Sequence, residues 1–99
     1  MSRLLGDDEI ARQLQDLVGW ERTGDAIHRE VQAPDFLTGI RIVDEIAIDA
    51  ENMDHHPDID IRWRKLNFTL STHSAGGITQ LDIELANRIS TIAATHNAT

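Results

Sequence analysis

The sequence has no cysteine in its 99 residues, which excludes a disulfide framework and any thiolate metal site. It also has no apolar run long enough to span a bilayer. The opening stretch Met1-Ser2-Arg3-Leu4-Leu5-Gly6-Asp7-Asp8 carries no apolar signal core, so the expected location is the cytoplasm. Positive charge is scarce: nine Lys and Arg stand against seventeen Asp and Glu, a formal net charge of −8. An acidic chain repels phosphate backbones and anionic lipid surfaces, so neither nucleic acid nor membrane is an expected partner. No internal repeat, linker or low-complexity segment interrupts the chain, and residues 1–99 read as one domain. A domain of this size buries only about 60–65 % of the surface its unfolded chain exposes, so a second copy is a natural source of extra stability.

Periodic apolar residues fill the rest. Asp7 or Asp8 is placed to cap a first helix whose stripe is Ile10, Leu14 and Leu17, and Gly19 ends it. Trp20 to Arg22 and Ala26 to Ala33 read as strands around Thr23-Gly24-Asp25. Ile27, Val31 and Ala33 share one face, and His28 lies on the other as an ordinary surface residue. Asp35 caps a long helix that should stop near Met53. Its stripe reads Phe36, Ile40, Val43, Ala47 and Ala50, with a second apolar edge at Ile42, Ile46 and Ile48.

Asp58 to Trp63 and Leu66 to His73 alternate at period two. A turn at Arg64-Lys65 would pair Trp63 with Leu66, Ile61 with Phe68 and Ile59 with Leu70, making Trp63 a core residue and setting His73 opposite His56. Ser74-Ala75-Gly76-Gly77 reads as a flexible connection. Thr79 then caps a last helix, with Asp82 in its first turn and Ile78, Leu81, Leu85, Ile89 and Ile92 as its stripe; Ala93 to Thr99 should fray. The expected fold is α+β, a two-layer sandwich of a four-stranded antiparallel sheet with three helices on one face, in the order α-β-β-α-β-β-α.

Three of the five histidines fall in two short segments, Asp54-His55-His56-Pro57 and Ser71-Thr72-His73. Imidazole titrates near neutrality, so these segments hold most of the chain's proton-transfer capacity. Neighbouring side chains in extended backbone point apart, so His55 and His56 are poorly placed to chelate one ion. With no His pair at helical i, i+4 spacing, a metal site is not expected. The alternative for the first segment is a polar helix-to-strand loop with solvated imidazoles. Asp82 would stabilise a helix start, and Glu51 a solvated helix face, whatever else they do.

Glu51-Asn52-Met53-Asp54-His55-His56-Pro57, followed by a hairpin, then Leu70-Ser71-Thr72-His73-Ser74-Ala75-Gly76-Gly77-Ile78-Thr79 and Asp82, resembles the pterin-4a-carbinolamine dehydratase family. Gly19-Trp20 and the element order extend the likeness over nearly the whole chain. The resemblance implies a lyase that removes water from 4a-hydroxytetrahydropterin, with no metal or cofactor, in tetrahydrobiopterin recycling. It implies His55, His56 and His73 as catalytic residues. Asp54, Ser71, Thr72 and Ser74 would join them in lining the pterin site, with Glu51, Pro57 and Asp82 in support. It further implies a homodimer or a tetramer. The alternative within the family is an inactive member that binds proteins, as a Rubisco assembly chaperone or a transcriptional partner. Ile59 stands where many members have an aromatic residue and Trp63 where some have Tyr, which touches the pocket wall and leaves the histidines in place.

Overall fold

The computed structural model describes residues 3–99. Three helices and four strands follow in the expected order: α1 (Asp7–Leu14), β1 (Glu21–Thr23), β2 (Ala26–Gln32), α2 (Phe36–Met53), β3 (Asp58–Arg62), β4 (Lys65–Leu70) and α3 (Gln80–Thr95). The strands form one antiparallel sheet in the order β1-β2-β4-β3. Its inner face presents Ile27, Val31, Leu66, Phe68 and Leu70, all fully buried against Ile42, Ile46, Leu85 and Ile89 of the helices. The outer face stays polar, and His28 there meets Asn67 Oδ1 across the sheet at 3.1 Å. Among the described residues no helix is long and apolar enough to cross a membrane.

The local signals act largely as the sequence suggests. Gly24 takes the positive φ of +60° that its tight turn needs. Asp35 Oδ1 accepts the Thr38 amide proton at 2.7 Å, capping α2. The cap of α1 is a correction: Gly6 holds that position, with Asp7 and Asp8 inside the first turn and Glu9 accepting from the Gly6 amide at 3.0 Å. Trp20 precedes β1 rather than opening it. Its ring is buried, and Nε1 donates to Ser90 Oγ at 2.9 Å. Arg29, which breaks the alternation of β2, reaches the same oxygen at 2.9 Å, and burial lowers its guanidinium pKa.

In α2 the buried row is Gly39, Ile42, Ile46 and Ala50. The expected stripe is therefore rotated, and what reads as the second edge supplies the main contact. Phe36, Ala47 and Ile48 are exposed, while Ile40 and Val43 flank the contact. Gly39 lies in this row, where a Cβ would make ordinary contact with Leu66 at 3.5 Å. In α3 the tail does not fray. Ala93 is buried, Ala98 packs on the core, and the Thr99 amide donates to Gln32 O at 3.0 Å.

The β3–β4 hairpin turns one residue earlier than expected, at Trp63-Arg64. The register is Asp58↔Thr69, Ile59↔Phe68, Ile61↔Leu66 and Arg62↔Lys65. Shifting the pairing by two positions keeps every apolar side chain on the same face, so alternation alone does not distinguish the two registers. Tertiary contacts decide between them. Lys65 pairs with Gln32 and so belongs to the strand rather than the turn, and Ala33 N–H donates to Arg64 O at 2.9 Å while Arg64 Nη1 returns a bond to Ala33 O at 3.2 Å. Trp63 is consequently expelled from the core, 81 % exposed at φ +62°. The ladder ends at Asp58↔Thr69, so His73 does not stand opposite His56.

Candidate active site

Helix α2 ends on Asp54, which adopts a left-handed conformation (φ 50°, ψ 42°), a region aspartate tolerates better than most residues. The amide of Asp54 donates to Glu51 O at 3.2 Å and that of His55 to Ala50 O at 3.0 Å. This reversal turns His55 into the protein and leaves His56 outside. Pro57, half-buried, then leads directly into β3 at Asp58.

His55 is 8 % exposed, and its Nε2 lies 2.6 Å from Asp82 Oδ1. Asp82 sits in the first turn of α3 with no exposed surface. Its Oδ2 accepts the Thr72 hydroxyl at 2.9 Å and the Thr79 amide at 2.9 Å, the latter closing a capping box. Thr72 Oγ1 and Thr79 Oγ1 are 2.7 Å apart. Among the described residues no buried side-chain nitrogen or oxygen lacks a partner. His55 Nδ1 makes no hydrogen bond there, so that nitrogen must open to solvent. A polar cluster this deep is tolerable because every member is satisfied.

His56 makes the parallel contact at the surface, with Nε2 2.7 Å from Glu51 Oε1 and both side chains largely exposed. Strand β4 stops at Leu70, so His73 lies in a tight turn rather than at the strand end expected for it, and residues 74–76 belong to that turn rather than to a flexible connection. Thr72 bridges to Gly77, and Thr72 O accepts the amides of Ala75, Gly76 and Gly77, with Gly76 at φ +77°. Ser71 Oγ donates to Asp25 O at 2.7 Å. His73, Ser71, Asp25, Asp58, Thr69 and Gly76 line a depression of about 360 Å³ that neither His55 nor His56 lines.

The structure therefore joins His55 to the Thr72 segment through Asp82, and His56 to Glu51. His73 and Ser71 are set around a separate hollow at the same end of the hairpin, while Asp54 and Ser74 are exposed. Sequence reading missed three participants. Thr79 reads only as a helix cap, although its spacing of three from Asp82 is the signal that ties it to the cluster. Asp25 and Asp58 carry no such signal: one is a turn residue and the other a strand start, and only the fold brings them beside His73.

A family model described as pterin 4 alpha carbinolamine dehydratase matches residues 3–92. A Nocardia farcinica protein provisionally named as a pterin-4-alpha-carbinolamine dehydratase is 56 % identical over 92 residues, covering 93 % of this chain and 97 % of its own. A Mycobacteroides abscessus protein with the same provisional name is 56 % identical over 88 residues, 89 % of this chain and 94 % of its own. Among solved structures, a transcriptional coactivator/pterin dehydratase from Brucella melitensis superposes with a TM-score of 0.89 at 34 % identity, over 92 % of this chain and 99 % of that one. A pterin dehydratase-like RuBisCO assembly factor of the alpha-carboxysome shares the fold alone, with a TM-score of 0.61 at 17 % identity over 75 % of this chain and 86 % of its own.

Proposed function

The chain belongs to the pterin 4 alpha carbinolamine dehydratase family, and from that premise we propose that it converts 4a-hydroxytetrahydropterin to quinonoid dihydropterin and water, in tetrahydrobiopterin recycling. The observation that carries this reading is His55 held against the buried Asp82 at 2.6 Å with its second ring nitrogen open. In the reaction the C4a–O bond breaks, N5 gives up its proton, a C4a=N5 bond forms, and the departing hydroxyl leaves as water. One proton is removed and one supplied, with no oxidant or reductant, so imidazoles suffice without metal or cofactor. His55 and His56 form the acid–base pair, and His73 binds and polarises the carbinolamine. Asp54, Ser71, Thr72 and Ser74 line the pterin site with the three histidines. Glu51 orients His56, Asp82 orients His55, and Pro57 stiffens the bend between them. The protein acts in the cytoplasm as a homodimer or a tetramer. Apolar Phe36, Leu37 and Ile48 exposed on α2, and Ile61 on the edge strand β3, support that assembly.

The test is carbinolamine breakdown measured against the buffer rate. Wild-type protein is expected to accelerate it, and His55→Ala or His56→Ala to lose most of the acceleration. Folded wild-type protein no faster than buffer overturns the reading. It would then favour a protein-binding role of the kind named for the two structural neighbours, with a complex insensitive to His73→Ala.

A further inference from the structure

We propose that Thr79 and Thr72 are positioning residues that hold the Asp82 carboxylate in the orientation that sets the tautomer of His55, leaving Nδ1 as the nitrogen that exchanges a proton with substrate. The catalytic half of this inference rests on the dehydratase reading; the tautomer half does not.

The donor order follows from counting hydrogens. Each threonine hydroxyl has one proton to give. Thr72 spends its proton on Asp82 Oδ2 at 2.9 Å, so across the 2.7 Å contact between the hydroxyls Thr79 must donate and Thr72 accept. Thr79 Oγ1 in turn accepts the Leu81 amide proton at 3.3 Å. The chain of donors therefore runs one way, from the first turn of α3 through two hydroxyls to the carboxylate. The Thr79 amide adds a second donor to Oδ2 at 2.9 Å.

With Oδ2 occupied twice, Asp82 faces His55 through Oδ1 alone. An ionised carboxylate only accepts, so the hydrogen between them is donated by nitrogen. Neutral His55 thus carries its hydrogen on Nε2 and its lone pair on Nδ1, the nitrogen left open. The second function of a ring nitrogen's partner is to choose which nitrogen works; here the carboxylate makes that choice and the two hydroxyls behind it hold it in place. All four residues are at most 8 % exposed, so water does not compete for the arrangement.

The relay makes a directional statement about Asp82→Asn. The two donors on Oδ2 require an oxygen at that position, so the amide nitrogen must face His55. His55 Nε2 then becomes the acceptor, and the ring hydrogen moves to Nδ1. Thr72→Val removes the lateral hydroxyl and loosens the carboxylate, whereas Thr72→Ser and Thr79→Ser retain the donor order.

Nitrogen-15 NMR of the histidine rings, at a pH where His55 is neutral, reads this directly. Wild-type protein is expected to show the Nε2–H form and Asp82→Asn the Nδ1–H form. Thr72→Val should lower kcat by about 10- to 100-fold with KM little changed and shift the pH profile of kcat, and Thr72→Ser should restore both. A wild-type His55 in the Nδ1–H form overturns the inference even if the protein is active, and needs no variant to fold. The Nε2–H form in a protein no faster than buffer leaves the relay standing and removes the dehydratase reading instead.

Discussion

His55 and His56 are neighbours in sequence, and each places Nε2 against a carboxylate, at 2.6 Å for His55 and 2.7 Å for His56. The bonds match in length and differ in surroundings. The side chains of the first pair are 9 % and 0 % exposed, those of the second 57 % and 77 %. In the interior, losing one partner strands a polar group that water cannot reach. At the surface, water replaces the lost partner, and the pair is worth about 0–1 kcal/mol. Distance alone therefore says little about what a hydrogen bond contributes. The same dipeptide holds one imidazole whose orientation the fold imposes and one that can move to meet a ligand.

The sharpest way to break this contrast is Asp82→Ala. It leaves His55, the Thr72 hydroxyl and the Thr79 amide without their acceptor and opens the α3 capping box. A loss of about 3–5 kcal/mol is expected in urea unfolding. A loss below about 1 kcal/mol would place the cluster in the same class as the surface pair. Next in size is His56→Ala, which should change stability by less than about 1 kcal/mol while removing most dehydration activity. A large stability loss there would show that the outer imidazole is structural after all. Glu51→Gln is smaller still: a change of about 0.2–1 kcal/mol, shrinking further as salt is raised, read from unfolding midpoints in low and high salt.

The smallest effect is acid sensitivity away from either histidine. Hydrogen bonds from Arg3 and from the Gly6 amide hold Glu9 at about 2, below the ordinary 4.5. Thr38, through side chain and backbone, holds Asp35 below its usual value. Both folded-state pKa values are depressed, so the stabilisation is present above the unfolded values and is lost as pH falls through the folded ones. Amide protection factors at the starts of α1 and α2, with exchange normalised to the intrinsic rate at each pH, should therefore fall between pH 4.5 and about 2, with little change from pH 5 to 7.

Much of this architecture was legible. Asp35, Gly24 and Thr79 announce their turns and caps through chemistry that acts within four residues, and the period-two strands fix which face is apolar. What was not legible depends on partners distant in sequence. The hairpin register differs from the expected one by two positions, a change the alternation cannot register, and Gln32 on another strand settles it by pairing with Lys65. The buried row of α2 was ambiguous because apolar residues lie on more than one face, and core partners distant in sequence break the tie by enclosing Ile42 and Ile46. At the site, the histidine segments stood out by composition. The burial that separates His55 from His56 did not, because it follows from one left-handed residue at Asp54.

The displaced hairpin turn has an optical consequence. The chain's two indoles end in opposite environments: Trp20 is enclosed and bonded to Ser90, and Trp63 projects from a loop tip. Their emission should separate into a blue component shielded from iodide and a red component that iodide quenches freely. The protein thus carries, without any added dye, one lamp in its interior and another on its rim.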